Sequence, residues 1–136
     1  MKATSRKIAN PTANPKIIRK IFVDGAGCRP DGKGSKFAWT CPETGEKHIE
    51  CLDGLTNNQA EYRGLVGALD SLPLGTEAEV FSDSLLMCSQ FNGEFKVNDP
   101  SLSDLLEKAR AIIARNKLKI TLQWIRRAQN LAGKLL

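Results

Sequence analysis

The spacing of apolar residues changes once along this chain, and the change limits the folds open to it. Up to Cys51 they come in short alternating runs. From Thr56 onward they recur at helical spacing, interrupted by two further strand-like runs. IIRKIFVD reads as a first strand, rich in β-branched and aromatic residues. GAGCRPDGKG is a Gly/Pro turn region, and SKFAWTC and EKHIECL make a hairpin around PETG. TNNQAEYRGLVGALDSL is a helix whose Thr56 and Gln59 have the spacing of a capping box. EAEVFSD is the next strand and SLLMCSQF a short helix. Asp99 and Pro100 open another helix, with Leu102, Leu105, Leu106, Ala109, Ile112 and Ile113 on one stripe. LKITLQWI alternates as a final strand with Leu118, Ile120, Leu122 and Trp124 on one face, and a last helix is expected from RRAQNLAGKLL. Strands in succession followed by strand–helix alternation predict an α/β fold, a mixed sheet with helices on its faces.

Three acids stand at distinct places in that order: Asp24 in IFVDGAG, Glu61 in TNNQAEY and Asp83 in EVFSDSLL. The first and third end strand-like runs. The second lies in the opening turn of a helix, at the head of the stripe Glu61, Leu65, Leu69, Leu72. A carboxylate there costs several kcal/mol if it stays dry and unpaired. If the fold gathers all three acids, they repel one another unless cations lie between them, which asks for a divalent metal. The other reading of Glu61 is an anion favoured at a helix N-terminus.

Charge is unevenly spread within a net +5. The 23 residues before Asp24 carry six Lys/Arg and no acid, and the 29 after Glu107 carry eight and no acid. Basic ends around an acidic centre suit a polyanion gripped by its backbone; an ordinary basic surface gives the same count. The 136 residues suit one domain, here residues 16–136, behind a flexible basic leader at 1–15 that lacks the apolar stretch of a secretory signal. No apolar run approaches the roughly 18–20 residues of a membrane span, so no membrane partner is expected. Cys28, Cys41, Cys51 and Cys88 show no metal-binding spacing and read as reduced thiols of a cytoplasmic protein. His48, the single histidine, alternates with Glu46 and Glu50 and reads as a solvated surface residue.

From about Ile17 to the end, the chain resembles type 1 ribonuclease H. The likeness rests on VDGAG at the first strand end, TNNQAEY at the helix start and SDS after the fourth strand. It implies a ribonuclease H-like fold, a five-stranded mixed sheet flanked by helices, and hydrolysis of the RNA strand of RNA–DNA hybrids. It further implies that Asp24, Glu61 and Asp83 ligate two Mg²⁺ or Mn²⁺ ions about 4 Å apart. One ion would ready a water and the other would stabilise the leaving 3′ oxygen, giving 5′-phosphate and 3′-hydroxyl ends. Asn57 and Gln59, with the amides of Gly25 to Cys28, would sense the 2′-hydroxyl in the minor groove. Capping and tight-turn geometry account for the same residues equally well. Ser84 of the SDS motif belongs with the substrate contacts.

Three departures from the family pattern stand out. The family usually carries a fourth aspartate four residues after an asparagine in its last helix. Here Arg127-Ala128-Gln129-Asn130 reproduces the lead-in, but Lys134 holds the acid's place and a shift of one offers only Gly133. Either Asn130 completes the metal site with a neutral oxygen or three carboxylates serve alone; on this reading Lys134→Asp would raise activity at low Mg²⁺. The usual histidine before the last helix is missing, and so is the basic insertion some relatives use as a handle. Arg126, Arg127, Lys96 and the N-terminal tail are the expected phosphate grips, with a solvated helix entrance as the alternative for the arginines. A catalytically weakened or silent nucleic-acid-binding module is the competing function. A monomer is expected.

Overall fold

Strand pairing starts at β1 (Ile18–Ala26), which occupies the middle of the sheet because it pairs on both sides. The structure, a computed structural model, describes residues 17–136; the leader expected at 1–15 lies outside the described residues. β2 (Lys36–Cys41) runs antiparallel to β1, and β3 (Glu46–Cys51) antiparallel to β2. β4 (Glu77–Ser82) pairs parallel to β1 on its other side, and β5 (Lys119–Trp124) parallel to β4. The order β3-β2-β1-β4-β5 is the mixed sheet the change of period predicts. Parallel strands need long crossovers. Helix α1 (Asn57–Asp70) lies in the connection that leads to β4, and α2 (Leu85–Phe91) with α3 (Pro100–Arg115) in the one that leads to β5.

Alternation places Ile21 and Val23 of β1, Ala78 and Val80 of β4, and Leu122 of β5 in the buried core. They belong to one cluster with Leu65, Ala68 and Leu69 of α1 and with Leu102, Leu106, Ala109 and Ile112 of α3. Inside this layer Tyr62 donates its hydroxyl to Gln90 at 2.7 Å, so a buried polar pair ties α1 to α2. The start of α1 rests directly on the end of β1. A side chain at Gly25 would collide with the backbone of Ala60 and Glu61, so glycine there is what permits the approach.

The helix starts are capped as their sequences indicate. Thr56 accepts from the amide of Gln59 at 3.1 Å, and Gln59 accepts from the amide of Thr56 at 2.9 Å. Asp99 caps α3 with Pro100 in its first turn.

Two expectations are corrected. The last helix is absent: Arg127–Gln129 and Leu131–Leu135 are separate 3-10 turns, with Asn130 between them in extended conformation. The buried Asn130 side chain caps the second turn, and that cap requires the helix to break there. Trp124 leaves the buried face it was expected to share with Leu118, Ile120 and Leu122, and is 50% exposed at the strand end. His48 is exposed as expected, and it stacks on Trp39 with ring centroids 4.2 Å apart and bonds to Glu50 at 2.9 Å.

Because the capping box holds the turn that leads to Glu61, Thr56→Ala should lower stability by about 1 kcal/mol. A shift of the urea midpoint with unchanged slope would show it.

Candidate active site

Asp24 sits near the end of β1 and Asp83 one residue past β4, so parallel pairing brings their strand ends together. Glu61 is the fifth residue of α1, just beyond the first turn rather than within it, and points at the same place because α1 lies on β1 at Gly25. One carboxylate oxygen from each of the three lies within 4.8 Å of the others. The amide of Gly25 donates to Asp24 Oδ1 at 2.9 Å. Glu61 Oε1 and Asp83 Oδ2 are buried and accept no hydrogen bond. Among the described residues Arg127 pairs with the cluster: its Nε is 3.8 Å from Asp83 Oδ2, and its side chain is almost wholly in solvent.

This arrangement is costly without a counter-charge. Burial, then the Asp24 carboxylate, pushes the Glu61 acid up to about 9. Burial, then the charge of Asp83, raises Asp24 as well, while a hydrogen bond between Asp24 and Glu61 partly offsets the rise. Metal-free, the cluster therefore favours keeping a proton between Asp24 and Glu61. Two orphaned buried oxygens among three converging carboxylates are hard donors of the kind Mg²⁺ and Mn²⁺ take. The residues present fit a divalent cation.

The expected fourth position is filled by main chain. Asn130 is fully buried; its Nδ2 donates to the Val23 carbonyl at 2.9 Å and its Oδ1 accepts from the Ala132 amide at 3.1 Å. The amide nitrogen thus tethers the C-terminal turn to β1, while its oxygen caps that turn. Gly133 is what abuts Asp24: a Cβ there would stand 2.8 Å from Asp24 Oδ2. Lys134 is exposed and lines a separate cleft with Thr40 and Lys47, so an acid at 134 would start from the wrong side of the turn.

A cleft of about 400 Å³ in front of the carboxylates is lined by Asp24, Gly25, Ala26, Asn57, Glu61, Arg127 and Leu136. Of the expected substrate contacts, Gly25, Asn57 and Arg127 reach it. Asn57 Oδ1 accepts from Gly27 at 2.7 Å. Gln59 is spent on the capping box and on Ser101, to which its Nε2 donates at 3.0 Å. Amides expected to face the substrate are engaged within the protein: Gly25 with Asp24, Gly27 with Asn57, and Cys28 with the Leu55 carbonyl at 2.8 Å. Ser84 caps α2 through the Met87 amide at 3.1 Å. Arg126 and Lys96 are exposed. Sequence reasoning missed Trp124, whose indole N–H donates to the Asp83 carbonyl at 3.2 Å. Its position as the last residue of a strand parallel to the one that ends at Asp83 was the available signal.

A family model described as reverse transcriptase-like matches residues 26–136. The bifunctional protein Rv2228c of Mycobacterium tuberculosis is 44% identical over 105 residues, 74% of this chain but only 28% of that protein's length. The chain is thus similar to less than a third of that relative. The solved N-terminal RNase H domain of Rv2228c superposes with a TM-score of 0.77 at 29% identity, covering 88% of this chain and 91% of that one. RNase H1 of the halophilic archaeon Halobacterium salinarum gives 0.74 at 26%, covering 87% and 92%. LC11-RNase H1, solved in complex with an RNA/DNA hybrid, gives the same score, identity and coverage.

The metal-free cluster makes a signed pH prediction. Unfolded, Glu61 loses its proton near 4.5; folded, near 9. Between those values the unfolded chain releases a proton that the folded one keeps, so stability falls as pH rises. In the presence of chelator, Glu61→Gln should therefore be more stable than wild type at pH 8 by about 1–3 kcal/mol, a gap that closes toward pH 4.5. Urea melts at the two pH values check this. Mg²⁺ or Mn²⁺ should raise the wild-type Tm and leave the variant's nearly unmoved.

Proposed function

We propose, for a chain that belongs to the reverse transcriptase-like family and within it to the ribonuclease H group, that it cuts the RNA strand of RNA–DNA hybrids with the help of divalent metal. The observation that carries this reading is the trio Asp24, Glu61 and Asp83 with two buried oxygens left unbonded. Those side chains would hold two Mg²⁺ or Mn²⁺ ions, which supply an activated water and a Lewis acid at the phosphate. The products would carry 5′-phosphate and 3′-hydroxyl ends.

The protein's own groups have separable tasks. Asp24, Glu61 and Asp83 present anionic oxygens from three elements whose mutual packing fixes their separation. Arg127, at the cleft wall, offers a guanidinium to the phosphate backbone. Asn57 reaches the cleft and has an amide nitrogen with no bond inside the described residues, so it can offer a donor to a ribose 2′-hydroxyl, the group by which RNA differs from DNA. Asn130 acts as a tether for the turn that brings Gly133 against Asp24, and with its oxygen engaged by the Ala132 amide the three carboxylates are left to serve without it. We place the protein in the cytoplasm as a monomer. No helix among the described residues is long and apolar enough to cross a membrane.

A silent nucleic-acid-binding module is the second reading, favoured by a glycine and a lysine where a fourth carboxylate would stand. Incubation with a labelled RNA–DNA hybrid, against duplex DNA and duplex RNA, with and without Mg²⁺, decides between the two. Cleavage confined to the hybrid's RNA strand and dependent on metal is expected. Asp83→Asn should reduce the rate by at least about 100-fold while keeping hybrid affinity, on the scale of losing one metal-held charge at the phosphate. Binding without cutting across Mg²⁺ and Mn²⁺ series would favour the silent module, and full activity of Asp83→Asn would remove the trio from the mechanism.

A further inference from the structure

Trp124 is half in solvent although strand periodicity places it with the core. Its one polar group is engaged, since the indole N–H is bonded to the Asp83 carbonyl. What it offers to solvent is therefore carbon surface held in a fixed pose against the main chain of a cluster carboxylate. Leu85, two residues after Asp83, is 57% exposed at the first position of α2. Arg126 and Arg127 follow Trp124 closely and are exposed, and Arg127 lines the carboxylate cleft. Two exposed apolar side chains, one bonded to the Asp83 carbonyl and one two residues after it, thus offer an apolar ledge next to an acid of the cluster, with Arg127 at the cleft wall.

Nucleic acid has a matching two-part surface, anionic phosphates joined by sugars whose ring faces are largely apolar. In a paired duplex the bases are already stacked on one another, so the sugar is the apolar face on offer. Resting on the nucleic-acid reading of the cleft, we propose that Trp124 and Leu85 form an apolar subsite for the sugar of the nucleotide adjoining the phosphate at Asp24, Glu61 and Asp83. Arg126 and Arg127 hold the flanking phosphates, and their charge brings the strand onto the ledge. The indole N–H bond preorganises the ring, so little rotamer freedom is lost on binding.

Trp124 has a competing role, because the same bond could serve only to position Asp83. Trp124→Phe keeps a ring and removes the bond; Trp124→Ala removes both. Leu85→Ser removes apolar surface where no bond to Asp83 exists. We would measure the affinity of the full chain and these variants for a short RNA–DNA hybrid by fluorescence anisotropy, in a non-cutting Asp83→Asn background. The Mg²⁺-induced rise in Tm would be read alongside, in the otherwise wild-type chain. Expected are affinity losses of about fivefold or more for Trp124→Ala and Leu85→Ser, a loss of about twofold or less for Trp124→Phe, and an unchanged metal response for Leu85→Ser. Wild-type affinity in Trp124→Ala and Leu85→Ser overturns the subsite. So does an equal effect of Trp124→Phe and Trp124→Ala on the metal response with hybrid affinity untouched. If the wild-type chain binds the hybrid with this sensitivity yet never cuts it, the catalytic reading falls and the subsite stands. If it binds no hybrid, both fall.

Discussion

Repulsion among three gathered carboxylates is the interaction the rest of this fold has to contain. Asp24, Glu61 and Asp83 come from a central strand, a helix and a neighbouring strand, and no two share a local segment that could relax by itself. Separating them would mean lifting α1 from β1, where Ala60 and Glu61 pack against Gly25 with no room for a side chain. It would also mean breaking the Tyr62–Gln90 bond and exposing Leu65 and Leu69. Burying even one charged carboxylate costs several kcal/mol, a large part of the roughly 5–15 kcal/mol that keeps a domain folded. The core beneath the site is thus the counterweight to the site, and a proton on Glu61 or a cation among the acids relieves the same strain.

That trade explains how the molecule divides its polar groups. Most of the amides and side chains around the cleft are satisfied internally: Gly25 by Asp24, Gly27 by Asn57, Cys28 by Leu55, Gln59 by Thr56 and Ser101. The unsatisfied oxygens belong to Glu61 and Asp83. Two orphaned acceptors converging at one point are specific, because each costs about 1–3 kcal/mol unless something donates to it. Surrounding groups that serve as caps and turns stiffen the frame, which is what a site built on exact separation of three charges requires.

Much of this was legible in the residues. The capping box at Thr56, the Asp99–Pro100 helix entry and the alternation of Ile21, Val23, Val80 and Leu122 are local signals, and the structure follows them. The three acids were visible because Asp24 and Asp83 end apolar strand runs and Glu61 heads a helical stripe, and such boundaries can converge at one edge of a mixed sheet. The C-terminal segment was not legible, for a physical reason. Arg126 to Leu136 has helical composition, but Asn130 spends its side chain on Val23, more than a hundred residues away in sequence, and on capping a new turn. A tertiary bond to β1 overrides local propensity there, and no spacing within the segment announces it. Trp124 misled for a related reason: alternation predicts which face a strand residue takes, and says nothing of whether a helix extends far enough to cover it.

The same C-terminal turn governs how strongly the cluster can hold a cation. Its contribution beside Asp24 is Gly133, which brings closeness without charge, while Lys134 faces the opposite cleft beside Lys47. If two divalent ions bind as proposed, three carboxylates would neutralise them less fully than four, and the substrate's own phosphate would become a larger share of the coordinating charge. In such a site metal and nucleic acid should bind cooperatively, each lowering the other's electrostatic cost. The basic residues at the border then do more than attract a polyanion. On the proposed reading, phosphates held at the rim by Arg126 and by Arg127, which lines the cleft, would bring the missing negative charge to where the protein does not supply it, and the acidic centre and basic edge would become two halves of one binding reaction.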